Sequence, residues 1–307
     1  MGIAVRWLGM NSDHPDICDY EGSNYQERFW GSGARRYEDL VEAIALRRLL
    51  PAKGRKLLEI GAGAGRNTRR YGGFEKIVLL DYARSQLEQA QLHLGKSERY
   101  IYVVADAYHL PFAHASFDAA TMIRTLHHMV DPRAALQEVR GILGRGGIFV
   151  LEYANKRNLK AIARWLLSKQ QWNPFAIDSV EFAPLNFNFH PRALRNWLQE
   201  SDFEVSRQLT VSHFRLNLLK RLVPLALLVA LDSVIQWSGG MVQLTPSVFL
   251  QAEVLSGPSY QEEAFWRCPV CTSENFEDLD EGLHCQGCGR TWSLRDGIYD
   301  FKHPIRE

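Results

Sequence analysis

The chain has no dominant charge. Its 307 residues carry 36 Lys and Arg against 35 Asp and Glu, a formal net charge of +1. No overall field therefore draws it to nucleic acid. It has no run of about 20 apolar residues, the length a membrane span needs. The most apolar segment, Leu222 to Leu231, is interrupted by Pro224 and followed by Asp232. The first residues, Met1 to Arg6, lack the apolar segment and small-residue cleavage site of a secretory leader, which favours a cytoplasmic location. Cysteine is scarce, at five residues, four of them gathered in two C-x-x-C pairs. Internal repeats and low-complexity segments are absent. Two phosphate-binding signatures are also missing. A dinucleotide fingerprint G-x-G-x-x-G counted from Gly61 ends on Arg66, and counted from Gly63 it ends on Thr68. No G-x-x-x-x-G-K-[ST] occurs either.

What the chain does have is the stretch Leu57 to Thr68, with Glu59 followed by Gly61, Gly63 and Gly65. Leu57 to Ile60 reads as a short buried strand, and the alternate glycines let a ligand approach the backbone. Arg66 is expected to open a helix. Lys76 to Asp81 and Tyr100 to Asp106 read as further strands, each ending in an acid. Ser85 to Leu94 and Pro132 to Leu143 read as helices, the second with Asp131 as N-cap and Pro132 at its first position. Ile148 to Tyr153 is a fifth strand. Alternation of this kind predicts an α/β chain with a parallel sheet covered on both faces. Ligands of such sheets bind beyond the carboxyl ends of the strands. Before this core, Ala34 to Leu50 has apolar residues near helical spacing and ends at Pro51.

The pattern acidic-x-G-x-G-x-G resembles motif I of the class I S-adenosylmethionine-dependent methyltransferases. The resemblance extends from Arg55 to Tyr153 through Leu110-Pro111-Phe112, Phe117-Asp118-Ala119-Ala120, Leu126-His127-His128 and Leu143-Gly144-Arg145-Gly146-Gly147, the last with Arg145 where proline is usual. It implies a Rossmann-like, seven-stranded, mostly parallel doubly wound sheet, with S-adenosylmethionine as cofactor. It also implies roles for single residues. Asp81 would accept the ribose hydroxyls, and Asp106 the adenine amino group, with Ala107 supplying a backbone N–H. Glu59 would help hold the amino-acid end. Gly61, Ala62, Gly63, Gly65, Tyr82 and Arg124 complete the expected cofactor site. His127 is the candidate base, with His128 beside it, because histidine titrates near neutral pH. Residues 1–50 would cap the cofactor, and Tyr20, Tyr25, Trp30 and Tyr153 are candidates for lining the acceptor pocket.

The region from 154 to 256 reads as helices at Asn158 to Leu167 and Pro191 to Glu200, a strand from Phe203 to Leu209, and a final strand from Pro246 to Val254. Leu216 to Trp237 reads as a long apolar helical stretch. Its most apolar part, Leu222 to Leu231, is expected to be a buried core helix, the alternatives being a lid on the acceptor pocket or a helix on a membrane surface. Insertions are thus expected at about 155–190 and 214–240 within a methyltransferase domain of residues 51–256. Residues 151 to 221 hold eleven Lys or Arg against six Asp or Glu, so contact with a phosphorylated acceptor is a further possibility.

Residues 257–267 read as a linker to a last unit at 268–307. There Cys268-x-x-Cys271 and Cys285-x-x-Cys288, thirteen residues apart, have metal-ligand spacing. With Arg295 to Phe301 they resemble a small zinc-ribbon family that includes the activator subunit of several tRNA, rRNA and protein methyltransferases. That likeness implies one structural zinc on four thiolates and a ribbon that docks in cis without entering the cofactor pocket. Cys18 stands apart and reads as a small buried residue. Three functions follow as expectations. The first is methyl transfer to a small-molecule or lipid-like acceptor, since the core resembles the branch that includes quinone-biosynthesis methyltransferases. The second is transfer to tRNA, rRNA or protein, although an N-P-P-Y motif is absent after the fourth strand, where the sequence is Ile123 to Leu126. The third is a non-catalytic cofactor-binding module.

Overall fold

A computed structural model describes residues 15–23, 35–262 and 264–306. Tyr25, Trp30 and the rest of residues 1–14 and 24–34 of the expected cap lie outside the described residues. The strands β1 (Gly54–Ile60), β2 (Phe74–Asp81), β3 (Tyr100–Val104), β4 (Phe117–Met122) and β5 (Leu143–Ala154) alternate with α2 (Arg84–Leu94) and α3 (Pro132–Ile142). They pair in parallel in the order β3-β2-β1-β4-β5. β9 (Ser247–Val254) then adds antiparallel to β5, and β8 (Phe203–Val211) antiparallel to β9. These seven strands are the expected sheet. Its direction is set by the apolar runs. Leu57, Ile77, Leu79 and Val104 bury on one face, with α1 (Arg36–Leu49) and α2. Leu58, Ile60, Val78 and Val103 bury on the other, with α3 and α5 (Pro191–Glu200). The Asp131 carboxylate accepts from the Arg133 and Ala134 amides, so α3 starts where its cap requires.

Three local expectations are corrected. No α-helix opens at Arg66; a single 3-10 turn, Thr68–Arg70, stands there instead. The next strand begins at Phe74, and the glycine pair Gly72-Gly73 leaves no room for a longer helix. The single helix expected from Leu216 to Trp237 is two, α6 (Asn217–Leu222) and α7 (Leu225–Ile235). They break at Val223-Pro224, because proline carries no amide hydrogen and disfavours helical backbone at the residue before it. Nor is this segment buried in the core. α7 buries only Leu228 and Asp232, and α6 buries nothing. A short hairpin, β6 (Val180–Ala183) with β7 (Asn186–Asn188), lies inside the first insertion.

The C-terminal ribbon continues the same sheet. β10 (Phe276–Leu279), β11 (Gly282–Cys285), β12 (Thr291–Arg295) and β13 (Ile298–Asp300) pair antiparallel in sequence, and β13 pairs in parallel with β3. The unsatisfied edge of β3 is thereby covered, which matters because an open edge is a template for aggregation. The stretch expected to be a linker lies along the core. Gln261 N–H donates to the Ala115 carbonyl, Ala113 N–H to Phe265, and Arg267 N–H to Pro111. Phe265 and Trp266 stack on Phe112, with ring centroids 5.6 and 5.8 Å away. Trp292 and Phe301 of the ribbon join the same apolar cluster as Leu58 and Leu136.

Candidate functional site

A cleft opens where the carboxyl ends of β1 to β4 converge. Its walls include Glu59 to Gly63, Leu80 to Tyr82, Ala105 to Tyr108 and Ile123 to Thr125, and Asp16 to Cys18 with Tyr20 cross it. Gly61 has φ +69°, and a Cβ there would sit 2.1 Å from Thr125 Oγ1, so only glycine fits. Gly63 turns its amide onto the Asp81 carboxylate at 2.8 Å, while the other carboxylate oxygen accepts from Ala83 N–H at 3.0 Å. Each oxygen keeps a lone pair for a further donor. Burial raises the Asp81 carboxyl to about 6 against the pull of these amides. Asp106, at the end of β3, accepts from Tyr108 N–H at 2.8 Å.

Glu59 is almost wholly buried. It accepts from the Thr68 hydroxyl at 2.6 Å and from the Tyr71 hydroxyl at 3.3 Å. Burial outweighs those bonds and pushes its carboxyl from 4.5 to about 7. The folded value lies above the unfolded one. The contribution of this group to stability is therefore fully present below about pH 4.5 and is lost as pH rises through about 7. The expected result is a melting temperature of the ligand-free protein that declines between pH 5 and 8, and a shallower decline in Glu59→Gln. Parallel pH profiles for the two proteins would contradict this.

The glycine turn is stapled to α1 by charges. Arg66 reaches Asp39 at 2.6 Å and Glu42 at 2.8 Å, and Arg124 reaches the same Glu42 at 3.1 Å. Burial alone would raise the Glu42 carboxyl, but Arg124 and Arg66 hold it below its ordinary range. Arg124 has φ +59° and donates its amide to Glu152 at 3.0 Å. Its guanidinium pairs with Glu42 of α1.

His128 lines the cleft and His127 does not. His128 Nδ1 lies 3.0 Å from the Leu185 carbonyl and must donate to it. Nε2 is then the acceptor for the Tyr20 hydroxyl, at 3.1 Å. Burial lowers the pKa of His128 and keeps the ring neutral. Burial also lowers His127, whose Nδ1 is shielded without a hydrogen-bond partner among the described residues. Tyr153 is a core residue, 1% exposed, away from the cleft. Cys18 faces the cleft with its thiol pKa raised by burial. Sequence reasoning did not single out Arg66, Asn67, Gln86 or Thr125 as wall residues. No local signal marks them, because their positions depend on α1 and on the approach of β4.

The four ribbon thiols converge. All sulfurs lie within 4.8 Å of one another, with Cys268 to Cys288 at 3.8 Å and Cys271 to Cys285 at 3.5 Å. A tetrahedron of thiolates about 2.3 Å from one ion has edges of about 3.8 Å. The cluster can therefore hold a metal ion. No described ribbon residue lines the cleft. Lys302 comes near its rim, with Nζ 3.7 Å from the Tyr82 ring centroid and 4.0 Å from Asp19.

Comparison with known proteins agrees with this geometry. A family model described as a methyltransferase domain matches residues 58–151. A demethylmenaquinone methyltransferase of Thermotoga maritima is 30% identical over 173 residues, covering 52% of this chain and 74% of that protein. A demethylmenaquinone methyltransferase of Clavibacter sepedonicus is 31% identical over 115 residues, 37% of this chain and 47% of that one. An O-methyltransferase of Penicillium expansum is matched over 40% of its length, so the chain spans less than half of these last two relatives. A chain from the complex of the Haloferax volcanii Trm112 methyltransferase activator with a methyltransferase superposes with a TM-score of 0.54. It covers 76% of this chain and 96% of that one at 14% identity, which shows the fold alone. The chain belongs to the S-adenosylmethionine-dependent methyltransferases.

Proposed function

We propose that the protein transfers a methyl group from S-adenosylmethionine to a small-molecule or lipid-like acceptor. The observation that carries this reading is the cleft itself. Two carboxylates stand at the ends of adjacent strands, a glycine turn faces them, and the Asp16–Tyr20 strap narrows the space in front of His128. The residues suit the cofactor. Asp81 has lone pairs to spare for two ribose hydroxyls, Asp106 and Ala107 take the adenine edge, and the backbone of Gly61 to Gly63 with Glu59 takes the amino-acid end, whereas Gly65 faces Ala90 and Leu94 of α2 and not the cleft. Tyr82 and Arg124 complete the wall. The bound cofactor supplies an activated methyl and its own leaving group, so the protein mainly positions the reactants. For a hydroxyl acceptor, His128 with its Tyr20 partner is the base we favour over His127, because its ring reaches the cleft.

Support for a small acceptor comes from the demethylmenaquinone and O-methyltransferase relatives. The two arginines on the cleft also face inward to acids, which leaves them unsuited to a phosphate backbone. The ribbon favours a second reading, a tRNA, rRNA or protein acceptor. The test is to incubate the protein with methyl-tritiated S-adenosylmethionine and, separately, a lipid-soluble cell extract, total RNA and total protein. Label extracted into organic solvent supports the first reading. Label confined to RNA or protein supports the second, and retention of cofactor with no transfer supports a binding module.

We further propose that the ion on Cys268, Cys271, Cys285 and Cys288 is zinc. All four ligands come from the chain, so the site is closed and structural. Elemental analysis should give about one zinc per chain, lost in Cys268→Ser and Cys288→Ser alike. A metal-free ribbon that melts with the rest of the protein would contradict this.

A further inference from the structure

Three helices of the insertions are only partly covered by the rest of the chain. Between them α4 (Leu159–Leu166), α6 and α7 bury only Ala161, Leu228 and Asp232. Short helices are marginal in water and normally depend on a buried apolar face. Here Leu228 is buried and Leu225 and Val229 pack partly on the core, but other apolar residues point outward. Leu166 is 68% exposed, Leu218 66%, Leu222 72% and Met241 89%. An exposed apolar surface of this extent marks an interaction site.

The exposed residues of α4 and α6 share one end of the sheet. α4 follows the carboxyl end of β5. α6 follows the carboxyl end of β8, which runs parallel to β5 because both lie antiparallel to β9. Both helices therefore stand at the end of the sheet where the cleft opens. Leu159 N–H donates to the Leu244 carbonyl, which joins the start of α4 to the exposed stretch Trp237, Met241, Val242 and Leu244 after α7.

The charges on this surface have one sign. Arg157, Lys160, Arg164 and Lys169 run along and just past α4 with no acid among them. Lys160, Arg164 and Lys169 are exposed. Past Ser212, Arg221 is exposed as well, whereas Arg215 turns inward toward Glu42 and Glu152 and Lys220 pairs with Glu38. Asp232 is buried and taken by Tyr37 and His213. Exposed leucines beside exposed lysines and arginines fit one kind of surface, an anionic phospholipid bilayer, where apolar side chains enter the headgroup boundary and cations meet phosphates. No helix among the described residues is long and apolar enough to cross a membrane, so contact is with one leaflet.

We infer that α4, α6, α7 and the segment to Leu244 form a docking face for an anionic membrane surface, holding the mouth of the cleft toward the bilayer. The face goes beyond the proposed reaction, and it is tested without cofactor or acceptor. Its failure therefore leaves methyl transfer standing, and failure of methyl transfer leaves the face standing.

The experiment is cosedimentation of the full-length protein with vesicles of phosphatidylcholine containing about one-third phosphatidylglycerol, and with phosphatidylcholine vesicles alone. Binding to the anionic vesicles should be at least about fivefold stronger than to neutral ones and should weaken at high salt. A variant carrying Leu166→Ser, Leu167→Ser, Leu222→Ser and Met241→Ser changes only exposed side chains. It should melt like the parent and bind vesicles at least about tenfold more weakly. Three results overturn the inference: no vesicle binding by the parent, equal binding by the variant, or self-association of the parent at micromolar concentration that the variant abolishes while vesicles stay unbound. The last result would assign the face to a second copy of the chain.

Discussion

Ending the chain at Ser256 should leave a protein that aggregates. The truncation uncovers the edge of β3, which β13 pairs in register from Ile298 opposite Tyr102 to Asp300 opposite Val104. It also removes Phe265 and Trp266 from Phe112, which is fully buried in the intact chain. Ile298 at 0% and Phe301 at 4% exposure are lost from the core as well. Each such side chain contributes roughly 1.5–3 kcal/mol by burial. Ile298 and Phe301 alone amount to about 3–6 kcal/mol, a large part of the stability of a typical domain. A milder variant keeps the question open to measurement if the truncated protein cannot be purified. Phe301 packs between Trp266 and Trp292, with centroids at 5.1 and 5.5 Å. Phe301→Ala should lower stability by about 3–5 kcal/mol. A truncated chain that stays monomeric and melts like the parent would show instead that the ribbon swings free, and would move a macromolecular acceptor ahead of a small one.

Asp81→Ala should abolish most cofactor binding while leaving the fold intact. Charged hydrogen bonds contribute roughly 1.5–3 kcal/mol each. Losing the acceptor of two hydroxyls should therefore weaken S-adenosylhomocysteine by at least about tenfold in calorimetry. The same variant frees the Gly63 amide, which loosens the turn that the cofactor must meet. The pH dependence has a defined sign. A carboxylate accepts both hydroxyls and a protonated carboxyl does not, so affinity should be full above about pH 6 and fall as the pH drops through it. Asp81→Asn should bind weakly at every pH. Unchanged affinity in folded Asp81→Ala, or the same pH profile in Asp81→Asn, would remove Asp81 from the site.

The strands, the glycine turn and the acids at the strand ends were legible in the sequence because each rests on local spacing. Asp81 and Asp106 end apolar runs, and Gly61 occupies a backbone position that no other residue tolerates. The cysteine pairs were legible for the same reason. Contacts between distant segments were not. Nothing near Ile298 announces a parallel partner in Tyr102 to Val104, and nothing near Arg66 announces Glu42. The choice between His127 and His128 depends on which ring the turn after β4 sends outward, and residue type cannot settle that. The exposure of α7 was missed for a different reason. Apolar composition reports that a helix prefers to be covered, not that the same chain covers it. Pro224 did carry the signal for the break between α6 and α7, and the apolar run around it obscured that signal.

The most direct measurement is a crystal structure of the protein with S-adenosylhomocysteine. The ribose hydroxyls should lie on the Asp81 carboxylate and the adenine beside Asp106 and Ala107. The sulfur should face a closed pocket bounded by Tyr20, Arg124 and His128. A cofactor bound elsewhere, or a sulfur facing an open basic groove, would contradict the account.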